Sequence, residues 1–470
     1  MTCFGATRRM MPLAILLALT ALPAAAQPSP ECRPEAATDA KPTGLWERAT
    51  LTGNWDGARD RLEQAGIAFG LQELSEGWAN LGGGLRRGGA YDGQTTLSLS
   101  VDLEQALGWT GGSFFANAYQ LHGSGPTPNL VGSLQPVSGI EATRATRLFD
   151  LWFEQTLPGN QVCIRIGQGG ANEEFMLSRY GMTLINSSFG FPGLAALDLP
   201  SGGPNTPLST PFVRAKYHPD EAFTLMAAVF NGDPAGRGAG DRQRRDPSGT
   251  EFRMRDDVFA IVEAAFAINQ GKEDRYPGAY KFGAWFHSGR FNDQAVDTLG
   301  SPLADPRSSG MPRQHRDDYA LYALFDQMVL PQEGGSGRGI GLFALVSGAP
   351  LGDRNLIDFF ATAGVNWKGP FEERPDDALA LGVAHARLGS SVKRYGSDLV
   401  AFTGTGQKFH QAETVLEATY AIQIAPWWLL QPDLQYVINP GAGMPNPYNG
   451  MNRTQLKNAT ILGLRTGFTF

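Results

Sequence analysis

At its end the chain alternates with period two: Thr460, Leu462, Leu464, Thr466, Phe468 and Phe470 fall on one side of an extended segment, and Ile461, Gly463, Arg465, Gly467 and Thr469 on the other. A strand so patterned has one greasy face and one small or polar face. The run before it sets Leu430, Leu434, Tyr436 and Ile438 against Gln431, Asp433, Gln435 and Asn439. Upstream, Leu97, Leu99, Val101 and Leu103 oppose Thr96, Ser98, Ser100, Asp102 and Glu104. Phe149, Leu151 and Phe153 oppose Asp150, Trp152 and Glu154, and Tyr280, Phe282, Ala284 and Phe286 oppose Lys281, Gly283, Trp285 and His287. Strands are predicted at 67–76, 94–104, 112–122, 146–156, 161–168, 211–217, 223–230, 257–268, 279–288, 318–329, 339–347, 356–367, 378–386, 413–424, 428–438 and 458–470. There are about sixteen of them, each near the length of a tilted membrane-crossing strand.

The connections support a barrel. Odd-numbered ones run to about 17, 23, 42, 26, 29, 8, 26 and 19 residues and even-numbered ones to about 7, 4, 5, 10, 9, 10 and 3, the asymmetry of outer-membrane barrels. Closing sixteen strands leaves a lumen too wide for side chains to fill, so an aqueous channel is expected. The longest connection, 169–210, is placed to fold inward and narrow it. The fold class is therefore all-β: a transmembrane antiparallel β-barrel over 67–470. A short helix precedes it in 51–66, with Asn54 as its cap, Gly66 as its stop, and Ala58, Leu62 and Ala65 on one face. No other segment reads as a helix.

Composition adds the compartment. Arg8 and Arg9, the apolar run Met11–Leu22 and the Ala24-Ala25-Ala26 site form a secretory signal over 1–26, too short to span a membrane as a helix. A Pro-rich leader follows over 27–50. Removing the signal shifts the formal charge from −7 to −9 and leaves an acidic chain, which argues against nucleic acid as a partner. Cys32 and Cys163 remain; whether they bridge is open. Two thiols and six histidines without ligand spacing give no reason to expect a metal or other cofactor.

Four segments resemble the OprB family, the carbohydrate-selective porins of Gram-negative outer membranes. They are Leu51-Thr-Gly-Asn-Trp-Asp-Gly-Ala-Arg-Asp-Arg-Leu62; Leu151-Trp-Phe-Glu-Gln155 with Arg165-Ile-Gly-Gln168 and Asn186-Ser-Ser-Phe-Gly190; Val229-Phe-Asn-Gly-Asp-Pro234; and Gln431-Pro-Asp-Leu-Gln-Tyr-Val-Ile-Asn-Pro-Gly441. The resemblance implies a sixteen-stranded barrel that lets glucose and similar small carbohydrates diffuse down their gradient, with Phe470 as a recognition signal for the barrel assembly machinery. Asp56 and Ala442 depart from the family pattern, both outside the expected constriction.

A sugar presents a ring of hydroxyls and two weakly apolar faces. Candidate pore-lining groups are Asp150, Glu154, Arg165, Gln431, Asp433 and Gln435 as hydrogen-bonding groups and Trp152 and Trp285 as platforms. For any one of them, the plain alternative is a polar lumen facing water, the default in porins. Gly82–Gly89 lacks the ending of a phosphate-binding loop and reads as a flexible outer loop. From it Arg86 and Arg87 could oppose Glu173 or Glu174 across the pore. Arg242, Arg244 and Arg245 suggest a patch for lipopolysaccharide phosphates, with a solvated loop equally in keeping. A general or anion-preferring porin, an outer-membrane barrel enzyme and a soluble sugar-binding β-protein are the competing readings; His122, His287 and His385 have no clear Ser-plus-acid company for the enzyme. Monomer and homotrimer both stay open.

Overall fold

The computed structural model describes residues 44–271, 274–332, 337–404, 409–443 and 454–470. The expected signal, most of the leader and Cys32 lie outside these; Cys163 is disulfide-bonded. The strands are β1 Ile67–Gly84, β2 Gly88–Asp102, β3 Gly112–Ser124, β4 Ala145–Thr156, β5 Val162–Gly169, β6 Thr210–Tyr217, β7 Phe223–Asn231, β8 Val258–Ile268, β9 Gly278–Asp297, β10 Pro312–Pro331, β11 Gly339–Gly348, β12 Ile357–Lys368, β13 Ala378–Leu388, β14 Ala412–Ala425, β15 Trp428–Ile438 and β16 Lys457–Thr469. Each pairs antiparallel with its sequence neighbour, and β16 closes on β1 to form a sixteen-stranded barrel.

Closure leaves no free sheet edge, so every strand finds partners for its backbone groups inside a membrane. The apolar set points out: Leu464 is 50% exposed, Phe282 56% and Leu321 61%. Their polar counterparts point into the lumen, where Arg465, Gln435 and Asp433 are buried.

Three expectations are corrected. Residues 77–93 are no long loop: β1 and β2 run on as a hairpin turned at residues 85–87, with Ala79 opposite Gly89 and Asn80 opposite Gly88. A glycine run carries no strand signal, yet here it is required. Gly83 sits at φ +74°, and a Cβ there would lie 1.8 Å from Asn458 O. Likewise β9 and β10 extend past the membrane-facing alternation, so their connection shrinks to 298–311. A second long helical segment exists, the helix Ser390–Thr403, whose Val392 and Gly396 are buried. Its signal was masked by the interior glycine, whose Cβ would meet the Phe409 ring at 2.8 Å.

A fourth correction concerns β4. The register between β3 and β4 slips at Asn117, so Phe149 turns inward and becomes fully buried instead of facing lipid. Asn117 fills the irregularity: Asp150 N donates to its Oδ1 at 3.0 Å, and its Nδ2 donates to Asp150 Oδ2.

The N-terminal helix, Ala58–Gln64 after a 3₁₀ turn, closes on Asn54 and stops before Gly66 at φ +76°. It lies at the short-turn rim beside the chain's end. Leu51 N donates to Thr469 O at 2.7 Å, Arg59 Nη2 to Phe470 O at 3.0 Å, and Trp46 stacks on Trp427.

Candidate functional site in the lumen

Loop 170–209 does fold inward. Its Phe175, Leu184, Phe189 and Leu194 are buried in one apolar cluster with Phe259, Phe343 and Phe360 of the wall. The wall makes room with glycine: a Cβ on Gly382 would sit 2.5 Å from Leu184 and 2.7 Å from Phe189, and one on Gly341 2.3 Å from the Tyr180 ring. Loop backbone amides, which burial would otherwise leave unpaired, are met by wall carboxylates. Glu263 accepts from Met176 N, Asp326 from Arg179 N, and Glu417 from Ile185 N and Asn186 N. The loop therefore runs round the inside of the wall from β5 to β14. Loop 125–144 meets it there, with Glu413 accepting from Leu134 N and Gln135 N, and Gly139 N donating to Ile185 O.

The other side of the lumen is polar. Register sets Glu154, Arg165 and Arg214 side by side on β4, β5 and β6. Two guanidinium groups directly opposite would repel; two carboxylates resolve this. Glu154 Oε2 lies 3.0 Å from Arg165 Nε and 2.7 Å from Arg214 Nη2. Glu174, brought in by the loop, takes Arg214 in a fork at 2.8 and 2.7 Å and lies 3.5 Å from Arg165 Nη1. The result is a charge-balanced Glu–Arg–Arg–Glu cluster with Arg165 4% and Arg214 1% exposed at the side chain. Arg165 Nη2 has no hydrogen-bond partner among the described residues.

Trp152 and Trp285 do not present open faces. Trp152 is sandwiched, with the Arg165 guanidinium 3.6 Å over its ring and Phe115 stacked at 5.2 Å, so it holds Arg165 in position. Trp285 is 1% exposed and packs on Phe259 beneath the inserted loop. Gln431 and Gln435 are engaged as loop anchors: Gln431 Nε2 donates to Thr183 O at 2.8 Å, and Gln435 Nε2 to Val137 O at 2.9 Å and to Asp433 Oδ1 at 3.0 Å. Asp150 shares a hydrogen bond with Glu173, whose carboxyl is held well above its usual range by burial and by the Asp150 charge. Arg86 donates to Asn129 O at the hairpin tip, beside the exposed Arg87, and Glu174 pairs elsewhere. The expected Arg86/Arg87–Glu173/Glu174 opposition does not form, because Arg86 and Arg87 sit in the turn of the extended β1–β2 hairpin. In the outer basic cluster, Arg245 is tied to Gly238 O and Ser201 Oγ, and Arg244 lies 3.5 Å from Asp241.

Two parts of the lumen had no place in the sequence reasoning. Arg214 shares its face with Phe212, and that parity was its only signal. Across the closing seam, Arg465 Nε donates to Glu76 Oε1 at 2.6 Å, while Trp78 Nε1 donates to Glu76 at 3.1 Å and Asp92 at 3.0 Å. No spacing could announce a pair 389 positions apart.

Residues 86–470 match the model of a family described as carbohydrate-selective porin, OprB family. The chain is 26% identical to Porin B of Pseudomonas aeruginosa over 431 residues, 85% of this chain and 88% of that one. It is 22% identical to the putative porin QuiX of Acinetobacter baylyi, over 84% of this chain and 89% of the relative. In fold it is similar to the high-pH structure of Pseudomonas putida OprB, with a TM-score of 0.79 at 23% identity over 91% of this chain and all of that one. The chain belongs to the OprB family and is an outer-membrane carbohydrate porin.

Proposed function

We propose that this OprB-family barrel passes neutral small carbohydrates, glucose among them, passively, and discriminates against ions at the Glu154–Arg165–Arg214–Glu174 cluster. The observation that carries this reading is the charge balance of that cluster: two cations and two anions in hydrogen-bonding contact. A balanced set offers fixed donors and acceptors to hydroxyls without the net field that would favour an anion or a cation. Arg165 Nη2 is buried without a hydrogen-bond partner among the described residues, and Asp150 and Glu173 lie beside the cluster. No catalytic step is assigned. His287 Nε2 donates to Gly232 O and His385 Nδ1 lies 2.9 Å from Thr414 Oγ1, both structural engagements.

Liposome swelling with glucose, maltose, amino acids and small anions tests it. Sugars are expected to enter faster than charged solutes of equal size; anions entering faster would overturn the assignment.

A homotrimer is the assembly this reading favours. β5 and β6 are 8 residues each and β7 is 9, at the short end of what a tilted spanning strand needs, about 9–11. The neighbouring outer face is an apolar depression of small residues, Ala215, Ala227, Ala260 and Ala284. Small side chains allow another copy to approach closely in a membrane. Contacts with the barrel assembly machinery through Phe470, and with lipopolysaccharide through Arg244, belong to the same reading.

A further inference from the structure

Above the lumen, on the side of the long connections, lies a cavity of about 400 Å³. It is bounded by loop 170–209, connections 232–257 and 349–356, and the extensions of β9 and β10 beyond the membrane-facing wall. Its volume falls among small-molecule pockets, roughly 300–1,000 Å³. None of the groups that line it belongs to the Glu154–Arg165–Arg214–Glu174 cluster.

Most of its charges are already paired. Arg237 lies 3.5 Å from Asp257, Arg354 lies 2.8 Å from Asp353, and Asp256 lies 2.9 Å from Arg253. Beside these stand Asp233, which accepts from Ala235 N, and the exposed Arg290, and the rest is hydrogen-bonding capacity. Asp198 Oδ1 accepts from Leu356 N at 2.7 Å and Ile357 N at 3.2 Å, whereas its Oδ2 is buried without a hydrogen-bond partner among the described residues. Asn292 and Gln314 are exposed and hydrogen-bonded to each other, each with further donor or acceptor positions. The floor is aromatic: Phe291 meets His287 edge to face at 5.3 Å. His287 is fixed by donating through Nε2 to Gly232 O while Nδ1 accepts from Gly289 N.

We propose that this cavity is an outer docking site for a neutral mono- or disaccharide, in which Asp198 Oδ2 accepts one hydroxyl and the Asn292–Gln314 amides bind others. Amides and carboxylates are planar two-point groups and suit neighbouring hydroxyls, and Arg237, Arg354, Asp256 and Asp257 of the lining are already held in ion pairs. A site of this kind, weak enough to release its solute, raises sugar concentration over the lumen without blocking it. The proposal rests on the carbohydrate reading above.

The test uses the full-length protein in planar bilayers, with maltose added to one side at a time. Asn292→Ala/Gln314→Ala and, separately, Asp198→Asn, which keeps one oxygen for the Leu356 and Ile357 amides, are compared with the parent. Each change is expected to raise the half-blocking maltose concentration from the long-loop side roughly tenfold, the loss of one to two hydrogen bonds. Block from the short-turn side is expected to hold. A parent that maltose blocks from both sides, with variants blocked equally, overturns the docking site alone. A parent that no sugar blocks from either side overturns the carbohydrate reading itself.

Discussion

Glu417 on β14 accepts the backbone amides of Ile185 and Asn186, the latter at 3.0 Å, and so fixes the far end of loop 170–209 to the opposite wall. Hydrogen bonds to a charged group contribute about 1.5–3 kcal/mol. Glu417→Ala is expected to cost about that much locally and to free the loop while the barrel stays closed. Single-channel conductance should rise and sugar block weaken, with little change in the thermal transition of the barrel. Unchanged conductance would show that the loop is held by its apolar face alone.

The buried ion cluster makes the opposite kind of prediction. Removing one partner of a buried pair leaves uncompensated charge and typically costs about 3–5 kcal/mol. Arg214→Ala is expected to lower thermal stability and, by leaving Glu154 and Glu174 with Arg165 as their one remaining shared cation, to make the pore cation-preferring. Reversal potentials across a salt gradient read this directly. Arg214→Lys keeps the charge without the two-pronged fit to Glu174, and should fall between parent and Ala in stability with selectivity largely retained.

At Gly382 the wall has no space for a side chain. Valine there would press on Leu184 and Phe189, and overpacking of this kind costs about 1–3 kcal/mol. Gly382→Val is expected to displace the loop into the passage and lower conductance, with protease sensitivity of the loop increased. A variant with parental conductance would contradict the tight packing.

Glu141, in the connection 125–144, accepts from Thr127 N at 2.7 Å and Thr127 Oγ1 at 2.6 Å. Burial pushes its carboxyl up from 4.5 to about 7, against those hydrogen bonds. The folded loop thus favours the protonated acid. Its contribution to stability is fully present below pH 4.5 and is lost as pH rises through about 7. Hydrogen exchange of the amides in 125–144 should accelerate over that window, and Glu141→Gln should flatten the dependence. An equally steep profile in the variant would assign the titration to another group.

Phe470 N donates to Leu71 O at 2.9 Å, next to the Arg59 contact on its carbonyl. Deleting Phe470 is expected to reduce the amount of barrel inserted in the outer membrane and leave the conductance of each inserted barrel unaltered. Normal surface levels of the shortened chain would remove its role as an assembly signal.

Much of this architecture was legible in the sequence, because a strand's faces depend only on local parity. Leu462 and Leu464 declare the lipid side of β16 and Arg465 the lumen side without knowledge of any neighbour. Strand number followed from the same period, and so did most of the alternation of short and long connections, the turn at 85–87 excepted. Parity failed at Phe149, where a register slip against Asn117 depends on the partner strand, and at Gly82–Gly89, where Gly82 and Gly84 are paired by β16 and Gly88 and Gly89 by β1. The site was legible one residue at a time and no further. Arg165, Glu154 and Glu174 could each be named as lumen groups, but Arg214 could not, nor that Glu174 would pair with Arg214 and not with Arg86 or Arg87. Those meetings are set by lateral register and by the path of loop 170–209, which brings Glu174 to Arg214 and Asn186 to Glu417. A period along the chain carries no information about which turns of the barrel lie side by side; closure of β16 on β1 and burial of the loop's apolar face decide that.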